Sequence, residues 1–127
     1  MQSICRGAAM RLALIGALGI AVDGTAAAQD AVAGKKAFAQ CSVCHSTDGT
    51  NGVGPTLQGI VGSKAGEVAG FRFSRAMKSS NIVWDDKSLD AYLADPQKTI
   101  PGNVMPFSGV ANANERADLI AYLKTLK

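Results

Sequence analysis

The chain has 127 residues, enough for one small domain and too few for two of ordinary size. Its 13 basic and 10 acidic residues give a net charge of +3 and are mixed along the sequence. Lys35-Lys36 is the only adjacent basic pair and fits a solvated helix face, so nothing here forms the basic stripe that nucleic acid requires.

The first segment reads as a signal for export. Arg6 and Arg11 precede an apolar run from Leu12 to Val22, and Ala26-Ala27-Ala28 before Gln29 offers the small residues a signal peptidase reads. Residues 1–28 are expected to be a cleavable signal peptide and 29–127 a single domain. The apolar run falls well short of the roughly 20 residues a spanning helix needs, so no stable membrane anchor is expected. Cys5 lies in the charged part of the leader, away from the cleavage site, which argues against a lipoprotein. Export of this style points to the periplasm. Losing Arg6, Arg11 and Asp23 brings the net charge from +3 to +2.

Beyond the leader, the stretch AVAGKKAFAQ from Ala31 to Gln40 predicts a helix, with Val32 and Phe38 facing inward and Gly34 leaving room for another helix to approach. It runs directly into Cys41-Ser42-Val43-Cys44-His45. This pentapeptide holds the only cysteines and the only histidine outside the leader. A C-x-x-C-H pattern reads as covalent attachment of a c-type haem: two thiols three positions apart reach two vinyl groups of one haem, and the adjacent imidazole reaches the iron. The competing readings fare worse. A thioredoxin-like redox pair sits after a strand in a βαβ unit, which this sequence lacks. A structural zinc site wants about four ligands, and only Cys41, Cys44 and His45 are on offer. A disulfide between Cys41 and Cys44 would be strained and would leave His45 idle.

From Ser46 to Gly70, glycines at 49, 52, 54, 59, 62, 66 and 70 predict loop rather than helix or strand. Ser74 is placed to cap a short helix through Met77 and Lys78. Asp85 and Asp86 open a helix carrying Leu89, Tyr92 and Leu93, which Pro96 is expected to end. A last helix starts near Asn112 to Asn114 and presents Leu119, Ile120, Tyr122, Leu123 and Leu126 as an inward stripe. No stretch alternates like a strand, so the expected fold class is all-α. A haem threaded through so small a core would supply apolar surface the side chains cannot, and the apo form is expected to fold poorly.

With one histidine, bis-histidine ligation within the chain is excluded. Methionine, lysine, the amino terminus, water or an empty position remain for the other face of the iron. Of the two methionines outside the leader, Met77 sits among helix formers, where a core-filling thioether is the simpler reading. Met105 precedes Pro106 and therefore lies in non-helical backbone, a loop position suited to an iron ligand.

These residues resemble the small class I cytochromes c, bacterial ones like the mitochondrial type in particular. The resemblance is carried by GKKAF at 34–38, CSVCH at 41–45, GPTL at 54–57, Trp84, LDAYLADP at 89–96, IPGNVMPF at 100–107 and ERADLIAYLK at 115–124. It implies helices and Gly-rich loops wrapped around one covalently bound haem c. Cys41 and Cys44 would be the thioether sites and His45 and Met105 the axial ligands. Gly34, Phe38, Leu119 and Tyr122 would form the crossing of first and last helices. Pro55, Trp84, Tyr92 and Asn103 would line the haem environment, with the Pro55 carbonyl holding the His45 ring. The implied role is a monomeric periplasmic electron carrier, not an enzyme. Its redox partners would be of the kind of a cytochrome bc-type complex and a terminal oxidase, reaction centre or reductase. The alternative is a haem enzyme or ligand sensor, peroxidase-like or gas-binding, whose distal ligand is displaceable.

Three departures from the mitochondrial pattern stand out. Ser63 and Phe73 replace an arginine and a tyrosine near the haem propionates, and Asn103 replaces a threonine. Positions that form a lysine ring hold Gln40, Val53, Gln97, Val104 and Ala111, with Lys36 and Lys98 kept. Met77 stands where the family commonly has an asparagine, and it either dries that pocket or simply packs.

Overall fold

The computed structural model describes residues 29–127. The expected leader, Cys5 included, lies outside the described residues. Within them the chain forms helices α1 (Ala31–Ala37), α2 (Arg75–Ser79), α3 (Asp86–Ala94), α4 (Pro96–Thr99) and α5 (Ala113–Leu123), with a 3₁₀ turn at Phe38–Gln40. Among the described residues there is no strand, only an isolated antiparallel bridge between Lys64 and Val83. The all-α expectation holds.

Asp30 caps α1 by accepting from the Val32 and Ala33 N–H groups at 2.8 and 3.3 Å. Its own N–H donates to Asp118 Oδ1 at 2.8 Å, which ties the start of α1 to α5. The face of α1 toward α5 is built on Gly34, where an added Cβ would strike the Asp118 backbone and come within 2.8 Å of Tyr122 Cβ. Phe38, one turn further, stacks at a tilt on Tyr122 with ring centroids 5.2 Å apart. Val32 is not inward as expected but 69% exposed. It lies two residues from Gly34, hence about 200° around the helix from the packed face. The final turn tightens to 3₁₀, and the Phe38 carbonyl accepts from both Cys41 and Ser42.

α3 opens with a reciprocal cap: Asp85 Oδ1 accepts from Ser88 N–H at 2.7 Å, and Ser88 Oγ accepts from Asp85 N–H at 2.9 Å. It buries Leu89 and Tyr92. Pro96 ends α3 as expected, and it also occupies the first turn of α4, a helix the sequence reading did not contain. Proline suits that position because its missing N–H would be unpaired there anyway. Asp95 serves as the cap, accepting from Lys98 N–H at 3.0 Å.

α5 starts after Asn112, whose side chain accepts from Asn114 and Glu115. Leu119, Ile120 and Leu123 are buried, Tyr122 half-buried, and Leu126 packs half-buried beyond the helix end. Arg116 pairs with Asp90 at 2.7 Å and donates to the Val110 and Ala111 carbonyls. Lys124 pairs with Asp86 at 2.6 Å, giving α3 and α5 two charged links. The core between them gathers Phe38, Ile60, Trp84, Leu89, Tyr92 and Leu119.

Candidate haem site

The C-x-x-C-H residues sit on a single turn leaving the 3₁₀ segment. Cys44 and His45 N–H groups both donate to the Cys41 carbonyl, at 3.1 and 2.9 Å. Both thiols are free and half-buried. Burial, then the nearby Cys44 and Glu115 charges, pushes the Cys41 thiol above its ordinary pKa.

His45 Nδ1 lies 2.7 Å from the Pro55 carbonyl oxygen. A carbonyl can only accept, so Nδ1 carries a proton, which leaves Nε2 as the nitrogen that a neutral imidazole would offer to a metal. The loop closes tightly behind the ring. Gly54 lies flat against it, where a Cβ would come within 2.6 Å of His45 Cε1, and Gly54 N–H donates to the Cys44 carbonyl at 2.8 Å.

Met105 lies in the loop between α4 and α5, half-buried against the core. Its N–H donates to Asn103 Oδ1 at 3.0 Å, and its sulfur accepts from the Tyr92 hydroxyl at 3.8 Å. Asn103 is buried, and its amide donates to the Pro96 and Ile100 carbonyls at 2.8 and 2.9 Å. Its amide donors are therefore spent on backbone at the two ends of α4. Trp84 packs on Tyr92 with ring centroids 4.9 Å apart, and burial pushes the Tyr92 hydroxyl up to about 12. The contacts thus gather the named residues into two groups. Cys41, Cys44, His45, Gly54 and Pro55 form one, and Trp84, Tyr92, Asn103 and Met105 the other.

Gln97 was read from sequence only as a lost lysine. Its side-chain amide donates to the Asn103 carbonyl at 2.9 Å and so braces the Met105 loop from outside. No sequence pattern marks this contact, because it depends on α4 turning back over the loop. Ser63 donates to the Ile60 carbonyl at 2.7 Å, and Phe73 sits edge-on to Phe71 at 4.8 Å. Met77 packs half-buried against the core with no polar partner for its sulfur among the described residues. No three His, Cys, Asp or Glu side chains among the described residues converge on a metal-sized site.

Two unbonded thiols, a histidine with Nε2 free and an anchored loop thioether fit a covalently attached haem. The family model for cytochrome c matches residues 31–127. The chain is 44% identical over 119 residues to cytochrome c2 of Rhodomicrobium vannielii, covering 92% of this chain and 95% of that protein. It is 52% identical over 91 residues to cytochrome c2 iso-2 of Magnetospirillum fulvum, covering 71% and 95% respectively. Among solved structures it is similar to cytochrome cH from Methylobacterium extorquens, with a TM-score of 0.74 and 52% identity, covering 76% of this chain and 98% of that one. The chain therefore belongs to the cytochrome c family, whose cofactor is one covalently attached haem c.

Proposed function

We propose that the chain is a periplasmic carrier that passes single electrons between redox proteins through a haem c ligated by His45 and Met105. The observation that carries this reading is the anchoring of Met105. Its sulfur is held by Tyr92, its backbone by Asn103, and the loop itself by Gln97. A thioether on a loop pinned at these three points is slow to swing away, which favours electron transfer over binding of peroxide or a gas.

When bound, the haem supplies a one-electron iron couple, and histidine–methionine ligation sets its potential high. The protein's own contribution is positional. Cys41 and Cys44 hold the group covalently, and the burial that disfavours the Cys41 thiolate does not disfavour an uncharged thioether. Pro55 fixes the orientation of His45 and strengthens its donation. Trp84 and Tyr92 supply apolar walls. Partners of the cytochrome bc-type, oxidase, reaction-centre or reductase class belong to this proposal, as does removal of residues 1–28 on export.

The absorption spectrum of the oxidised holoprotein tests it. The weak long-wavelength band of sulfur-to-ferric-iron charge transfer should be present and should be lost only slowly when cyanide or imidazole is added. An absent band with rapid ligand binding would establish the enzyme or sensor reading instead.

A further inference from the structure

A different chemistry resides at Asn51-Gly52. Asn51 is half-buried and its amide staples two loops together. Oδ1 accepts from Thr56 N–H at 3.0 Å, while Nδ2 donates at 2.8 Å to the carbonyl of Ala69, eighteen residues away. Asparagine followed by glycine is the sequence in which the next backbone nitrogen reaches the side-chain carbonyl carbon with least hindrance, since glycine has no Cβ. The chain's other asparagines, Asn81, Asn103, Asn112 and Asn114, precede Ile82, Val104, Ala113 and Glu115. In the folded protein the attack is blocked from both sides. Gly52 N–H is engaged with the Gly54 carbonyl at 2.9 Å, and both ends of the Asn51 amide are held.

We propose that Asn51 is a deamidation site which the native fold keeps closed, which local opening of residues 51–54 exposes, and whose conversion unlatches the loop bearing Ala69. Gly52 nitrogen, giving up its proton to solvent base, bonds to Asn51 Cγ. The bond from Cγ to Nδ2 breaks, and that nitrogen leaves as ammonia. Water then opens the resulting five-membered imide at one of its two carbonyls, leaving an aspartyl or isoaspartyl residue and requiring no oxidant or reductant. The aspartyl product places a carboxylate oxygen where Nδ2 donated, so an attractive contact with the Ala69 carbonyl becomes a repulsive one, and the isoaspartyl product draws Cγ into the main chain and leaves no side-chain amide to donate there.

The isoaspartyl form also lengthens the main chain just before Gly54. That backbone lies against the His45 ring and leads into the Pro55 carbonyl that orients it. Reclosure after conversion is therefore imperfect, and each opening that leads to reaction leaves a lasting mark beside the proximal histidine.

The test is to hold the holoprotein at mildly alkaline pH with and without denaturant and to score each asparagine by peptide mass spectrometry. Asn51 should convert ahead of the other four in denaturant, and about tenfold or more slowly in the native state, because reaction there waits on local opening. Equal rates in the two states, or another asparagine leading in denaturant, would overturn the site. Asn51→Asp holoprotein examines the staple separately, with a lower Tm and faster amide exchange at Phe71, whose N–H bonds to the Val68 carbonyl within the loop bearing Ala69, expected. Where that variant does not accumulate, aged wild-type protein separated by charge gives the same readout. A Tm and exchange rate equal to those of fresh wild type would overturn the unlatching.

Discussion

The Tyr92 hydroxyl donates to the sulfur of Met105 across 3.8 Å. This bond draws on the same lone pairs the sulfur would offer to iron, so it makes Met105 a weaker donor to the ferric state. Tyr92→Phe should release that density and lower the reduction potential. A weak bond of about 0.5–1 kcal/mol corresponds to roughly 20–40 mV for one electron. A potentiometric titration reading an unchanged or raised value would contradict this role for Tyr92.

The propionate positions give a second handle on the potential. Ser63 and Asn103 spend their donors on backbone carbonyls, and Phe73 has none to give. On the family resemblance, propionate charge is then poorly compensated, which favours ferric iron. Phe73→Tyr should raise the potential measured against wild type, and a fall or no change would count against the idea.

Gly34→Ala should be among the more damaging single substitutions. The new methyl meets backbone of Asp118, which cannot swing away as a flexible side chain would. Overpacking of this kind costs about 3 kcal/mol, or a Tm lower by roughly 10–20 °C for a domain of this size. Thermal unfolding followed by far-UV circular dichroism gives the number.

Asp85 carries an acid-dependent share of stability. Its carboxylate is held below the usual aspartate range by the Ser88 backbone N–H first and the Ser88 hydroxyl second. A depressed folded pKa means that the contribution is complete above the unfolded value and is lost as pH falls through the folded one. Asp85→Ala should therefore lower Tm at neutral pH, with the gap to wild type closing in acid. A gap independent of pH would show that the charge of the carboxylate contributes nothing.

Docking should depend weakly on salt. Val43, Val53 and Val104 are 80%, 79% and 76% exposed, and they flank Cys44, Gly54 and Met105 in sequence. Valines here, with Lys36 and Lys98 as remaining charges, leave little to steer a partner over distance. Turnover with a membrane-bound redox complex should change less than about threefold from low to physiological ionic strength, where a lysine-ringed surface loses much more.

The extent to which the sequence revealed all this follows from how local each signal is. Helix ends were readable because Ser74, Asp85 and Asn112 cap the segment they precede. His45 and Met105 stand out in the sequence because a single histidine and a following proline leave few choices, and the Pro55 and Tyr92 contacts that hold them became visible only in the fold. Val32 was misread because the helix face is chosen by Gly34, through a partner 84 residues and more away in sequence. α4 was missed because Pro96 signals both an end and a beginning. The contacts of Asn51, between loops, and of Gln97, from α4 to the Met105 loop, follow no periodicity, so neither leaves a pattern in the chain.

The tie between Asp30 and Asp118 spans 88 residues, and among the described residues the helix on which α1 packs is α5. Closing so long a segment costs entropy before any packing repays it. The first helix must wait for synthesis to reach the last one. Until then the C-x-x-C-H segment that follows it hangs on an uncommitted chain, with both thiols within reach of whatever attaches the haem.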